Sequence, residues 1–215
     1  MNAVKALWMI VGLSLSLTTN SAELKGIGFF ETLDKPWFAT ALYVQPADNN
    51  TTGESFQLPE RLEFKVVEDK ISQRRFRQLW TDVMAVVTDQ SVFSGQDFEH
   101  FMTAVKGALQ KNDLIVLAQE GEFVSLTINY HEHARLSSHF LGDLVAVLTA
   151  RIAPIPELKH GLMGTLPRSE LQTIQQAFDS GEPSLRRISQ TARWLRKKPQ
   201  VASQKSQLIA ASPSV

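Results

Sequence analysis

Two apolar segments separated by a short polar turn constrain the fold of this 215-residue chain more than any other feature. The first reads ELKGIGFFETL and the second PWFATALYVQ, and both are rich in the aromatic and β-branched residues that favour strands. The letters DKP between them are typical of a turn. The pattern predicts a β-hairpin, and therefore an antiparallel sheet that begins near residue 23.

Gly26 and Gly28 in the first segment raise the question of a phosphate-binding loop. A dinucleotide-binding loop needs a third glycine three residues later and a helix after it, but Glu31 occupies that position and the next residues are strand-like. We predict instead a bulge in the strand or a close approach of another backbone.

The remaining patterns alternate between strand and helix. RLEFKVVE (61–68) predicts a half-buried strand, and DLIVLAQ and EFVSLTINY predict a second hairpin. Apolar stripes at helical spacing run through 76–87, 98–109 and 140–152. Ser169 and Gln172 fit a capping box at the start of another helix, and a last helix follows over 185–195. We expect an α+β domain whose helices pack on one face of one antiparallel sheet.

The N-terminal 22 residues form a separate unit. Lys5 precedes a 12-residue apolar stretch (6–17), which is too short to span a membrane as a helix and is typical of a signal peptide. Cleavage near Ala22 would release a periplasmic or secreted protein. The alternative is an N-terminal anchor that stays attached.

Composition excludes several classes of site. The chain has no cysteine, so disulfides, thiolate metal sites and a lipoprotein anchor are excluded. Residues 23–182 contain 14 basic and 22 acidic side chains, a net charge of −8, whereas seven basic and no acidic residues follow Glu182. An exported protein with an acidic body is a poor partner for nucleic acid. No pattern in the sequence calls for a cofactor.

The basic C-terminal segment SLRRISQTARWLRKK is also amphipathic. Such a helix can lie on an anionic membrane, or it can contact the acidic body of the protein. The residues predicted to make either contact are Arg186, Arg187, Arg193, Trp194, Arg196, Lys197 and Lys198. The alternative is a solvated helix that Leu185, Ile188 and Leu195 dock onto the protein.

His131, His133 and His139 form the one cluster that resembles a set of metal ligands. In an extended segment His131 and His133 would share a face, and a carboxylate could complete a zinc site. The spacing matches no established zinc motif, and the plainer interpretation is exposed histidines at the end of a strand. We therefore predict neither a metal site nor catalytic residues.

Four segments, taken in order, resemble the bacterial chalcone isomerase-like proteins. They are GIGFF…PWFATALYV, PERLEFKVVEDKISQRRFRQLW, FMTAVKGALQKNDLIVL and PELKHGLMG, and they span about residues 24–165. The resemblance implies an open-faced β-sandwich with a cleft between sheet and helices, in a domain over 23–165. A basic helical extension (166–198) and a flexible tail (199–215) would follow.

The same resemblance indicates which catalytic groups are missing. In true chalcone isomerases an arginine stabilises charge on the substrate oxygens, helped by threonine, tyrosine and asparagine. The corresponding positions here are Phe30 for the arginine, Phe38 for the strand threonine, Ile71 for the tyrosine, Gln78 for the asparagine and Val147 for the later threonine. Loss of a preorganised charge-stabilising donor costs about 3–4 kcal/mol in the transition state. We therefore expect no chalcone isomerase activity.

An apolar cleft in that fold suggests an apolar ligand, such as a lipid or fatty-acyl molecule. Some relatives bind fatty acids through an arginine that is absent here, so a free fatty acid is disfavoured. The predicted cleft residues are Phe30, Phe38, Thr40, Tyr43, Gln78 and Val147. Two alternatives remain at this stage: an enzyme that uses other residues, such as His131 and His133, and a purely structural envelope protein.

Overall fold

The computed structural model describes residues 22–46, 58–87 and 91–196, with side chains omitted at 91 and 92. Its main feature is a six-stranded antiparallel sheet in the order β1-β2-β3-β6-β7-β8. The strands of this sheet are β1 (Glu23–Thr32), β2 (Lys35–Val44), β3 (Pro59–Val66), β6 (Leu114–Glu120), β7 (Phe123–Ile128) and β8 (His131–Ser137). A small second sheet pairs β4 (Lys70–Ile71) with β5 (Leu109–Gln110).

Helices occupy the β3–β6 connection and most of the chain after β8. They are α1 (Gln73–Val86), α2 (Ser91–Ser94), α3 (Gln96–Ala104), α4 (Phe140–Leu148), α5 (Pro156–Leu162), α6 (Arg168–Phe178) and α7 (Leu185–Ala192), with a 3-10 turn at Arg193–Leu195. No helix in the described ranges is long and apolar enough to cross a bilayer. The predicted signal peptide and the tail over 199–215 lie outside the described residues.

The first predicted hairpin is confirmed. Strands β1 and β2 pair in antiparallel register around a turn whose central residues, Leu33 and Asp34, have φ angles of 52° and 57°. This register places Phe30 directly opposite Phe38. The second predicted hairpin is formed by β6 and β7.

One face of the sheet carries the main hydrophobic core. In β2, Phe38, Leu42 and Val44 point to this face, as strand alternation requires. Buried residues of α1, α3, α4 and α5 pack against it. These helices bury the apolar stripes that the sequence shows at helical spacing.

The expectation that all helices pack on one face is wrong, because α6 covers part of the opposite face. Ile174 of α6 packs with Ile27, Ala39 and Ala41, whose side chains point away from the main core. Small alanines at 39 and 41 let a helix lie close to the strand. The outer face of β6 stays partly open, since Val116 and Ala118 are only half-buried. The class is therefore α+β, with helices on both faces.

Three helix ends differ from the prediction. The stripe through 98–109 ends at Ala104, and the stripe through 140–152 ends at Leu148, which leaves Ile152 65% exposed. The capping box at Ser169 does not form, because the N-cap of α6 is Pro167, two residues earlier. The fixed φ of proline suits a helix start without a side-chain cap.

The two glycines of β1 allow α5 to approach the strand backbone, as predicted. A Cβ atom at Gly28 would lie 3.1 Å from the Cα of Gly161, and one at Gly161 would lie 2.4 Å from the Cα of Gly28. A register shift between Leu24 and Gly26 adds the predicted bulge. The glycines are thus required by packing between α5 and β1.

We predict that Gly161→Ala destabilises the protein by about 1–3 kcal/mol, because the new methyl group would overlap the backbone of β1 and force α5 away. Chemical denaturation measures this change. Gly142→Ala in α4 is the matched control, since a Cβ atom there meets nothing within 4 Å. The control should stabilise by about 0.5–1 kcal/mol through helix propensity. Equal effects of the two substitutions would contradict the close approach.

Candidate functional site

An aromatic cluster fills the region where the resemblance places a cleft. Phe30 and Phe38 lie edge to face with ring centroids 5.7 Å apart, and both are essentially inaccessible to solvent. Trp80 of α1 lies over the sheet, 5.4 Å from Phe30 and 5.7 Å from Phe64. Phe101 of α3 packs edge to face against Trp80 at 4.9 Å. We call Phe30, Phe38, Phe64, Trp80 and Phe101 the aromatic cluster.

Two polar atoms on this face of the sheet and on the helix above it lack a partner. The hydroxyl of Thr40 and the indole Nε1 of Trp80 are both buried without a hydrogen bond. Thr40 lies opposite Gly28 on one side and Phe64 on the other, and Trp80 contacts the ring of Phe64. A buried donor without a partner costs about 1–3 kcal/mol, so two in one region need a physical reason.

The structure places the predicted cleft residues in three different environments. Phe30, Phe38 and Thr40 share the main core face, whereas strand alternation puts Tyr43 on the opposite face, half-buried in the α6 cluster. Gln78 is exposed on α1, and its amide donates to Asp82 Oδ1 at 2.7 Å. The prediction that Tyr43 and Gln78 line the cleft is therefore wrong.

Val147 is buried in α4, as expected for an interior position, but it lies outside the main core cluster. Within the described ranges, the predicted site is thus reduced to Phe30, Phe38 and Thr40. Trp80, which lies in the apolar stripe over 76–87, joins them.

No cation of the described residues lies over a ring of the aromatic cluster. The rings that face a lysine or arginine are Trp37, Tyr43, Phe123, Phe178 and Trp194. Of the two buried cations in the described chain, Lys65 points to the opposite face and Arg187 binds Asp113. Within the described ranges, none of these cation–ring contacts involves Phe30.

An ion pair and a hydrogen bond on the opposite face connect the α6–α7 linker to the sheet. Lys65, which is 3% exposed, donates to Glu182 Oε1 at 3.3 Å, and the hydroxyl of Tyr130 donates to the other oxygen of Glu182. That hydrogen bond is the main reason why the pKa of Tyr130 rises to about 12 and the pKa of Glu182 falls. These residues hold the linker and do not reach the aromatic cluster.

A buried ion pair anchors the C-terminal segment. Arg187 of α7 donates from Nε and Nη2 to the carboxylate of Asp113, with a shortest distance of 2.7 Å, and from Nη2 to the carbonyl of Ala108 at 2.7 Å. Asn129 and the backbone NH of Gln110 donate to the same carboxylate at 2.8 Å. Arg187 is only 7% exposed, so of its two predicted contacts the membrane is wrong, whereas contact with the acidic body is confirmed through Asp113.

Trp194 also faces the protein. Its indole lies so close to Gly107 that a Cβ atom there would be 2.9 Å from the ring, and its carbonyl accepts a hydrogen bond from Lys106 Nζ. The predicted contact of Trp194 with a membrane is therefore wrong. The predicted docking by Leu185 and Leu195 is also wrong, since these side chains are 84% and 41% exposed.

We predict that Asp113→Ala destabilises the protein by about 3–5 kcal/mol, because it leaves the buried guanidinium of Arg187 without a counter-charge. Replacing both partners, in Asp113→Leu/Arg187→Met, should recover part of the loss. The control is Lys35→Met, which breaks a half-exposed pair with Glu68 and should cost less than about 1 kcal/mol. Urea denaturation compares the three. A loss at Asp113 no larger than the control would contradict the anchor.

His131 and His133 lie on the edge strand β8, whereas His139 is the N-cap residue of α4. Burial lowers the pKa of His133 to about 4, with smaller contributions from the charges of Lys106 and His131. Its Nε2 atom is buried without a partner, and its ring meets that of Trp194 at 6.2 Å. Among the described residues no group of three His, Cys, Asp or Glu side chains could hold a metal ion. This arrangement gives no support to a metal enzyme.

The lowered pKa of His133 predicts acid sensitivity. The unfolded chain, with a histidine pKa near 6.5, takes up the proton before the folded chain does. The stability that neutral His133 contributes is therefore complete above pH 6.5 and is lost as the pH falls towards 4. We expect the Tm of His133→Phe to fall less than that of the wild type between pH 7 and 4.5. His100→Phe is the exposed control, and a wild-type slope in both variants would contradict the assignment.

Two open clefts lie elsewhere on the described surface. One, of about 260 Å³, is bordered by Phe29, Pro36 and Val67 on the α6 side of the sheet. The other, of about 310 Å³, lies at the start of α7 and is lined by Gln110, Ser184, Arg186, Arg187 and Gln190. Neither includes a residue of the aromatic cluster.

Comparison with known proteins assigns no family to this chain. The chain matches no protein-family model, and no curated protein sequence matches it.

Proposed function

We propose that this is an exported, non-catalytic protein of the chalcone isomerase-like type that binds a neutral apolar molecule, such as a lipid or fatty-acyl compound, between β2 and α1. The observation that carries the proposal is the pair of buried, unpartnered polar atoms, Thr40 Oγ1 and Trp80 Nε1, within an otherwise aromatic region. Apolar binding sites usually contain a few such polar groups, which orient the ligand.

The chemistry of the pair limits the ligand class. An indole NH only donates, whereas a hydroxyl both donates and accepts, so the pair suits a carbonyl or hydroxyl oxygen. No described cation contacts the aromatic cluster, and a buried carboxylate without a counter-charge is strongly disfavoured. An ester, amide or alcohol with an acyl chain therefore fits better than a free fatty acid.

Ligand entry has to separate rings that are in contact. Phe30 and Phe64 both contact Trp80, and each such pair contributes about 0.5–1.5 kcal/mol beyond area burial. A buried methylene contributes about 0.8 kcal/mol, so an acyl chain of roughly ten methylenes outweighs the loss of these ring pairs. Binding would move α1 away from the sheet without unfolding either.

The non-catalytic part of the proposal depends on Phe30. Its ring is buried against Phe38 and Trp80, and a phenyl ring cannot stabilise an oxyanion as an arginine does. The protein should therefore not accelerate ring closure of a chalcone. The competing function is a structural role with a permanently closed core, and the experiment below separates the two.

We predict that neutral acyl lipid co-purifies with the full chain in native mass spectrometry and solvent extraction, and that Thr40→Val weakens binding of a fluorescent acyl ester about tenfold or more. Valine matches threonine in shape but lacks the hydroxyl, so it removes only the hydrogen bond. The matched control is Thr127→Val on β7, where the side chain lies on the opposite face.

Stability gives the second readout. Without ligand, Thr40→Val should raise the Tm, because it removes an unpaired buried hydroxyl, and added ligand should stabilise the wild type more than the variant. If no lipid co-purifies and the acyl ester binds neither protein, the core is closed and the structural role is favoured. Equal binding by Thr40→Val and wild type would place the ligand elsewhere.

A further inference from the structure

The docking of α7 fixes which of its side chains face solvent. Arg187 and Thr191 point into the protein, so the opposite side of the helix points outward. Leu185, Arg186 and Arg193 lie there, and all three are exposed. Seven residues separate Arg186 from Arg193, which returns the chain to nearly the same helical direction.

The surface formed by these residues continues into the 3-10 turn. Leu195 and Arg196 are both exposed beyond Trp194, whose ring is turned inward. We call Leu185, Arg186, Arg193, Leu195 and Arg196 the outer face of the C-terminal segment. No ion pair within the described residues engages its three arginines.

A polar cleft opens beside the first of these arginines. It has a volume of about 310 Å³ and is lined by Gln110, Ser184, Arg186, Arg187 and Gln190. Asp113 neutralises Arg187, so the free charge at the cleft belongs to Arg186. Serine and glutamine side chains beside a free guanidinium can all donate to a phosphate oxygen.

We infer that the outer face of the C-terminal segment binds an anionic phospholipid surface, with a headgroup phosphate at the cleft beside Arg186. Exposed leucines next to arginines suit a bilayer, where the leucines enter the interface and the arginines meet phosphates. A folded acidic protein would pair with the arginines, but it would cover Leu185, at 84% exposure, only if it also presented an apolar patch at that point.

The charge distribution favours one orientation on the membrane. Residues 23–182 have a net charge of −8, whereas no acidic residue lies between 183 and 196. An anionic surface should therefore meet the side of the protein that carries the outer face. This surface is separate from the aromatic cluster, so either proposal can fail without the other.

The test compares binding of the full chain to vesicles of pure phosphatidylcholine and to vesicles with 30% phosphatidylglycerol, a composition of about one anionic lipid in three. The apolar stretch over 6–17 contributes to both, so the ratio of the two affinities reports the effect of charge. We expect the wild type to prefer the anionic vesicles by about 100-fold or more at low salt, because the three arginines of the outer face each attract anionic headgroups.

Two triple variants decide whether this face is responsible. Arg186→Gln/Arg193→Gln/Arg196→Gln should remove most of the preference. The control triple Arg74→Gln/Arg77→Gln/Arg151→Gln removes the same charge from exposed positions elsewhere and should retain it. Leu185→Ser/Leu195→Ser should weaken binding to anionic vesicles severalfold. Free phosphate at about 10 mM should compete only weakly, because this concentration is roughly a hundredfold below the salt that screens such charge contacts fully.

The opposite results overturn the inference. A wild type with no preference for anionic vesicles shows that the outer face does not bind phospholipid. Equal losses in the two triple variants show that net charge alone causes the preference. Full competition by free phosphate, with no effect of the leucine substitutions, assigns the cleft to a soluble anion. Circular dichroism of each variant confirms that α7 remains folded, since none of the substituted side chains is buried.

Discussion

The interior of this protein depends on an edge-to-face contact between Phe30 and Phe38, which lie opposite each other on the first hairpin. Because both rings are buried, the helices above the sheet must present complementary surfaces, and Trp80 and Phe101 do so. The same contact removes any place for a charged catalytic group at residue 30. The packing between sheet and helices and the proposed absence of isomerase chemistry thus both involve Phe30 and Phe38.

A second constraint is the attachment of the C-terminal segment. The bond between Arg187 and Asp113 joins residues that are 74 positions apart in the chain, and Asn129 adds a third element to the network. Burial removes both charges from water, and this desolvation costs free energy unless the ion pair makes all of its hydrogen bonds. The segment is consequently part of the folded body, and only its outer face is available to a partner.

Local patterns predicted much of the fold and less of the site. Two hairpins and the main amphipathic helices follow from spacing that a single segment contains, and so does the glycine approach at Gly28. The inward position of Arg187 could not be predicted in this way, because its partner is distant in sequence and a basic residue in an amphipathic helix usually faces solvent. Tyr43 is different: strand alternation separates it from Thr40, and that signal was present in the sequence. The sequence could not show that the polar atoms of Thr40 and Trp80 are buried without a hydrogen-bond partner, because this depends on how distant segments pack.

The most direct test of the central claim is a crystal structure of the protein purified without solvent extraction, with the electron density between β2 and α1 inspected. We predict elongated density among Phe30, Phe38 and Trp80, with one polar end at a hydrogen-bond distance of roughly 2.7–3.2 Å from Thr40 Oγ1 or Trp80 Nε1. Rings in mutual contact with no such density, or a guanidinium group directed at Phe30, would contradict it.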